Sequence, residues 1–194
     1  MEGLLNPESG ACILVLMTMI SCMSEQRKIP LRVDGELISL KTRPNVRQNF
    51  LLVHRKKTSA VVILFPGGQG TLKLKEKSGE VIIPKMKGNF LVRSLDLFTK
   101  QGFIVALVDA PITNRTYSLT TPFRMSPDHA RDISHVVRYL RRYKRPIWVI
   151  GTSRETISSV NIANSVKGLS GPVLTSSVTR ENRKESGKIH CSFH

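Results

Sequence analysis

Val149-Ile150-Gly151-Thr152-Ser153-Arg154-Glu155 joins a short apolar strand, Pro146–Ile150, to a helical stretch, Arg154–Val166. A serine in such a strand-to-helix turn projects from the carboxyl edge of a sheet, above the N-terminus of the next helix. The turn needs a small residue two positions before the serine, which Gly151 supplies, and ordinarily another two after it. The N–H groups and dipole of the helix start favour negative charge developing beside Ser153. Ser153 is therefore a candidate nucleophile. The competing reading of the same residues is a serine that caps the 154–166 helix.

Outward from this turn, strands and helices alternate. Leu31–Thr42 reads as a hairpin around Asp34-Gly35, and Asn49–His54 as a short strand. Ala60–Phe65 (AVVILF) is a continuous run rich in β-branched residues, suited to a strand buried on both faces. The stretch holding Lys73, Lys75, Lys77, Lys85 and Lys87 reads as a loop. Gly88–Gln101 carries Phe90, Leu91, Leu95 and Phe98 at helical spacing and is closed by Gly102. Phe103–Val108 is a second buried strand. Ser126-Pro127 offers a cap and a proline at the first helical position, and Ile133, Val136, Val137 and Leu140 follow on one helix face. Pro172–Thr175 is a last strand. Strands separated by crossover helices predict an α/β chain with a mainly parallel sheet flanked by helices.

A second turn, Phe65-Pro66-Gly67-Gly68-Gln69-Gly70, directly follows the 60–65 strand. Its glycines free the backbone to present N–H groups inward, as an oxyanion hole requires. A Walker-type phosphate cradle is excluded, because no GKS or GKT follows. Taken alone, the stretch reads equally well as a plain glycine-rich loop.

Together these segments resemble the α/β-hydrolase family, and within it small bacterial serine hydrolases of largely unassigned substrate. The likeness runs through AVVILFPGGQG (60–70), KGNFLVRSLDLF (87–98), GFIVALVDAP (102–111), SPDHARDI (126–133), WVIGTSRETIS (148–158) and VLTSSVT (173–179). The order of these motifs is more specific than any one of them. The resemblance implies Ser153 as nucleophile. It implies an oxyanion hole formed by the backbone N–H of Arg154 and that of Gly68 or Gln69, and it places Asp109 and His129 on the pocket rim.

The sequence departs from that family in two ways. The family pattern is GTSRG, and Glu155 stands where the second glycine belongs. Glycine there lets helix approach strand, so Glu155→Gly is expected to be neutral or stabilising. In the family the acid and the histidine follow the serine on later strands. After Ser153 this sequence holds one strand candidate and then a polar, basic stretch, RENRKESGKIHCSFH (180–194), which reads as a truncation or an altered reading frame. His190 and His194 fall in that stretch. His54 sits on an early strand, His135 within a helix, and His129 precedes the serine. No Asp-then-His pair follows Ser153 on predicted structured elements, so weak catalysis is expected.

Composition bounds the remainder. The chain has 194 residues, with 30 Lys+Arg against 14 Asp+Glu and a net charge of +16. Its 40% hydrophobic content argues against global disorder. Three scattered cysteines form neither a disulfide framework nor a CxxC zinc pair. No stretch of membrane-spanning length is present. The positive charge is spread and lacks a nucleic-acid module, so a solvated basic surface is expected and nucleic acid is not. Gly10–Met23 is apolar and has the length of a signal-peptide core, but acidic Glu2 and Glu8 precede it and Arg27 and Lys28 follow it. That order leaves export or a segment packed on the domain as the two readings. The expected organisation is an N-terminal segment at 1–24, an α/β-hydrolase-like domain at 30–179 lacking its last strands, and a disordered tail at 180–194. The expected activity is hydrolysis of a small-molecule ester or related acyl bond by Ser153, without metal or cofactor. The alternative is a remnant of the fold that binds without catalysis.

Overall fold

Every residue of Ala60–Phe65 is buried, which a strand achieves only where both faces of its sheet are covered. The computed structural model describes residues 30–55, 58–113 and 119–177. The chain divides into two units, residues 1–31 and 32–194, and the architecture below is that of the second. The expected 1–24 segment and 180–194 tail lie outside the described residues.

Among the described residues nine strands appear in chain order: β1 (Leu31–Val33), β2 (Glu36–Arg43), β3 (Val46–Val53), β4 (Ala60–Phe65), β5 (Lys75–Lys77), β6 (Glu80–Ile83), β7 (Phe103–Val108), β8 (Ile147–Thr152) and β9 (Gly171–Thr175). The helices are α1 (Phe90–Arg93), α2 (Leu95–Lys100), α3 (Thr121–Arg124), α4 (Pro127–Leu140) and α5 (Glu155–Ser165), with a 3₁₀ turn at Arg141–Tyr143. Six strands form the main sheet in the order β2-β3-β7-β4-β8-β9. From β7 to β9 all pairings are parallel, and β3 and β2 join antiparallel at one end. β5 and β6 form a hairpin in a smaller sheet, ordered β1-β6-β5.

Alternation along the strands builds two buried faces. Val61, Ile63, Phe65, Ile104, Ala106 and Val149 pack with Ile133, Val136, Val137 and Leu140 of α4 and Ile162 of α5 in one cluster. The intervening Val62, Leu64, Val105 and Leu107 are equally buried, and α2 packs on β7. The α4 start is as expected: Ser126 accepts a hydrogen bond from the His129 N–H, with Pro127 at the first position. No helix among the described residues is long and apolar enough to cross a membrane.

Three local expectations change. The hairpin forms one element later than Asp34-Gly35, between β2 and β3, with Arg43 opposite Val46. Pro44 presets the first turn position and Asn45, at φ 58°, takes the left-handed second one. Gly35 has a different task. A Cβ there would lie 2.8 Å from the Leu52 carbonyl oxygen, so the glycine admits close passage of β3. The lysine-rich loop contains the β5–β6 hairpin, turned by Ser78 and Gly79, both at positive φ. The single 88–101 helix is two short ones, interrupted at Ser94.

Candidate active site

The strand–turn–helix at residue 153 forms as expected. β8 ends at Thr152 and α5 begins at Glu155, leaving Ser153 exposed with φ 54°. A left-handed conformation in a residue with a Cβ stores about 1–3 kcal/mol of strain, and it persists only where its surroundings enforce it. Three hydrogen bonds do so. The Ser153 N–H donates to the Thr175 carbonyl at 3.0 Å, and the Ser153 carbonyl accepts from the Thr156 N–H at 3.0 Å and hydroxyl at 2.7 Å. No side chain caps α5, so the cap reading of Ser153 does not hold.

Gly151 is required by helix packing. A Cβ there would stand 2.3 Å from the Ser159 hydroxyl and 2.4 Å from the Glu155 carbonyl oxygen. The glycine-rich loop meets the same turn. A Cβ on Gly67 would lie 2.6 Å from the Thr152 carbonyl oxygen and 3.0 Å from the Ser153 Cβ. Gly68 and Gln69, exposed beyond this contact, belong to a backbone that turns left-handed at Gly68 (φ 75°) and Gly70 (φ 66°). The structure thus sets Gly67 against Ser153 at the ends of β4 and β8, two adjacent parallel strands, with Gly68 and Gln69 following in one turn and Arg154 in the other. Those strand ends form the carboxyl edge of the sheet, where open α/β sheets ordinarily place their sites.

Asp109 and His129 are buried, at 2% and 1% exposure, and neither faces a rim. Asp109 ends β7 and accepts backbone N–H groups from Leu72 (2.7 Å), Leu74 (2.9 Å) and Ala110 (2.8 Å). It ties the segment after the glycine-rich loop to the sheet. Burial pushes its carboxyl up, and the same N–H bonds pull it back. His129 lies between the rings of Phe65 and Phe123, with centroids 6.0 and 5.2 Å away. Both of its ring nitrogens are buried without a hydrogen-bond partner. Burial lowers its pKa to about 4, so the ring is neutral at pH 7.

Glu155 does not distort the turn. It is fully buried, and its Oε1 accepts from Arg124 Nε at 3.1 Å and Nη2 at 2.9 Å, while its Oε2 accepts from the Ser158 hydroxyl. Burial pushes the Glu155 carboxyl up, against the opposing pull of Arg124 and Ser158. The Arg124 Nη2 also donates to the Gly68 carbonyl at 2.8 Å. Arg124 was not singled out by the sequence, where it lies 31 residues before Glu155. A signal existed all the same: a glutamate at a position that must be buried demands a cation somewhere.

Among the described residues no group of three or more His, Cys, Asp and Glu side chains is disposed to hold a metal. Among those residues, too, no imidazole or carboxylate is hydrogen-bonded to the Ser153 hydroxyl.

A mainly parallel sheet between helices, with a strained serine in the turn from an interior strand to a helix, is the arrangement of the α/β-hydrolase fold. Solved structures share it. The chain is similar to the esterase Pf2001 of Pyrococcus furiosus, with a TM-score of 0.52 and 18% identity over 74% of this chain and 51% of that one. It is also similar to the α/β hydrolase GrgF of Penicillium sp. sh18, with a TM-score of 0.53 and 11% identity over 76% of this chain and 46% of that one. The chain therefore spans about half the length of these structures. No protein-family model matches the sequence, and no curated protein matches it.

Proposed function

We propose that this chain carries the nucleophile half of a serine hydrolase acting on a small-molecule ester or related acyl bond. The observation that carries the reading is Ser153 itself: exposed, left-handed at φ 54°, and directly beneath the Gly67 loop. In this reading the Ser153 Oγ attacks the acyl carbonyl carbon and its proton passes to a base. The carbonyl oxygen becomes an oxyanion held by the N–H of Arg154 and a second N–H from the glycine-rich loop. Collapse of the tetrahedral intermediate expels the alcohol and leaves an acyl-serine, which water then hydrolyses. The names of the two similar proteins, an esterase and an α/β hydrolase, support the reaction class.

The second reading is a fold that binds without turnover. It is favoured by the absence, among the described residues, of any imidazole or carboxylate bonded to the Ser153 hydroxyl. A serine hydroxyl is weak at neutral pH without an oriented base.

Hydrolysis of p-nitrophenyl acetate by the purified chain and by Ser153→Ala tests the proposal. Activity above the uncatalysed rate that disappears in Ser153→Ala supports the hydrolase reading. Equal rates for the two proteins sink it and favour the binding fold.

A further inference from the structure

Gly68 is left-handed (φ 75°), a conformation in which glycine meets no Cβ penalty, and its outgoing peptide can rest with either face toward the protein. One side chain selects between those orientations. Arg124 ends α3 and is 1% exposed, and its Nη2 donates to the Gly68 carbonyl oxygen at 2.8 Å. That oxygen therefore points toward the interior.

The C=O of Gly68 and the N–H of Gln69 belong to one planar peptide, trans here, so they point in opposite directions. Anchoring the carbonyl inward turns the Gln69 N–H outward, on the exposed side of a loop whose Gly67 abuts Ser153. Among the described residues nothing accepts from that N–H. From this geometry we infer that Arg124 is a positioning residue that aims the Gln69 N–H as the loop's oxyanion donor, with Glu155 as its buried counter-charge. The inference rests on the hydrolase reading and distinguishes Gln69 from Gly68 as the donor.

Glu155 suits the task by position and by charge. It lies two residues after Ser153 at the start of α5, so the pair ties the loop to the same turn that carries the serine. Arg124 can hold both partners because a guanidinium presents several donors in a rigid fork. Its main chain is fixed as well: Asn161 of α5 donates to the carbonyls of Arg124 (2.8 Å) and Ser126 (3.1 Å). Gly70 completes the fit, since a Cβ there would fall 2.5 Å from the Glu155 Oε1.

Two variants of the whole chain test the clamp. Arg124→Met with Glu155→Gln removes both buried charges together, so neither is stranded. Arg124→Lys keeps the charge pair and loses the fork. Backbone ¹⁵N order parameters of Gly68, Gln69 and Gly70 are expected near about 0.85 in the parent chain and below about 0.6 in the double variant, with β4, β7 and β8 unchanged. Arg124→Lys should fall between the two.

Ser153 phosphonylation by a fluorophosphonate ester, followed by intact mass and peptide mapping, reads the donor. It should slow on the order of 10²-fold in the double variant and equally in Gln69→Pro, which removes that N–H and also fixes φ at residue 69, so the Gly68 and Gly70 order parameters are checked alongside. Folded variants with parental order parameters overturn the clamp, and a Gln69→Pro chain labelled at the parental rate overturns the donor assignment. Loss of the fold in both Arg124 variants makes the pair a core fixture and also overturns the inference. A parent chain not labelled at Ser153 defeats the hydrolase reading itself, while the order parameters still decide whether Arg124 holds the loop.

Discussion

Gly67 and Ser153 touch closely: a Cβ on Gly67 would sit 3.0 Å from that of Ser153, tighter than such carbons ordinarily pack. The same added carbon would lie 2.6 Å from the Thr152 carbonyl oxygen, a backbone atom that cannot swing aside. Gly67→Ala should therefore displace the loop from the serine turn, destabilising the chain by about 1–3 kcal/mol. Urea unfolding gives the stability change, and slower Ser153 phosphonylation should accompany it. A fully stable Gly67→Ala chain with parental labelling would contradict the contact.

Glu155→Gly is expected to destabilise, the reverse of what the family pattern suggests. It strands the Arg124 guanidinium, 1% exposed, without its carboxylate. Removing one partner of a buried pair costs about 3–5 kcal/mol. Arg124→Met with Glu155→Gln should lose less, because no buried charge is left unmatched. Denaturant midpoints for the two proteins decide the order.

His129 should make stability fall in mild acid. Its pKa drops from 6.5 unfolded to about 4 folded, mainly through burial, while Asp132 opposes the shift and Arg124 and Arg43 reinforce it. Between those values the unfolded chain binds a proton that the folded chain refuses, so stability rises with pH through the window and is whole above 6.5. The full effect amounts to about 3 kcal/mol. His129→Phe, placed between Phe65 and Phe123, should remove this part of the slope when unfolding is compared at pH 4 and pH 7. An unchanged slope would assign the acid sensitivity to other groups.

Asp109→Asn replaces an acceptor of the Leu72, Leu74 and Ala110 N–H groups by an amide with one oxygen and its own donors. At least one of the N–H groups of Leu72, Leu74 and Ala110 then faces an N–H₂ group. A loss of about 1–3 kcal/mol follows from leaving a buried donor unpaired. Amide exchange should accelerate at Leu72 and Leu74 while the β4 amides stay protected. Uniform acceleration across the sheet would show that Asp109 supports the whole fold and not this segment.

Local chemistry alone settled much of this molecule. The buried strands 60–65 and 103–108, the Ser126-Pro127 helix start and the strand–serine–helix turn were legible because each depends on neighbours within a few residues. The partners of Gly35, Gly67, Asp109 and Glu155 were not legible, because those contacts close loops of tens of residues. Asp34-Gly35 has the chemistry of a turn, yet passage of the chain beneath β3 uses Gly35 for clearance, and Pro44-Asn45 makes the turn. Asp109 and His129 reach the same end of the sheet as Ser153, but only packing decides that both side chains face inward. Glu155 shows the division most clearly. Sequence marks it as a misfit at a glycine position, and only the fold supplies Arg124 across 31 residues to neutralise it and to fasten the Gly68 carbonyl. A buried charge is tolerated where a counter-charge and hydrogen bonds meet it, and that meeting is a property of the tertiary structure.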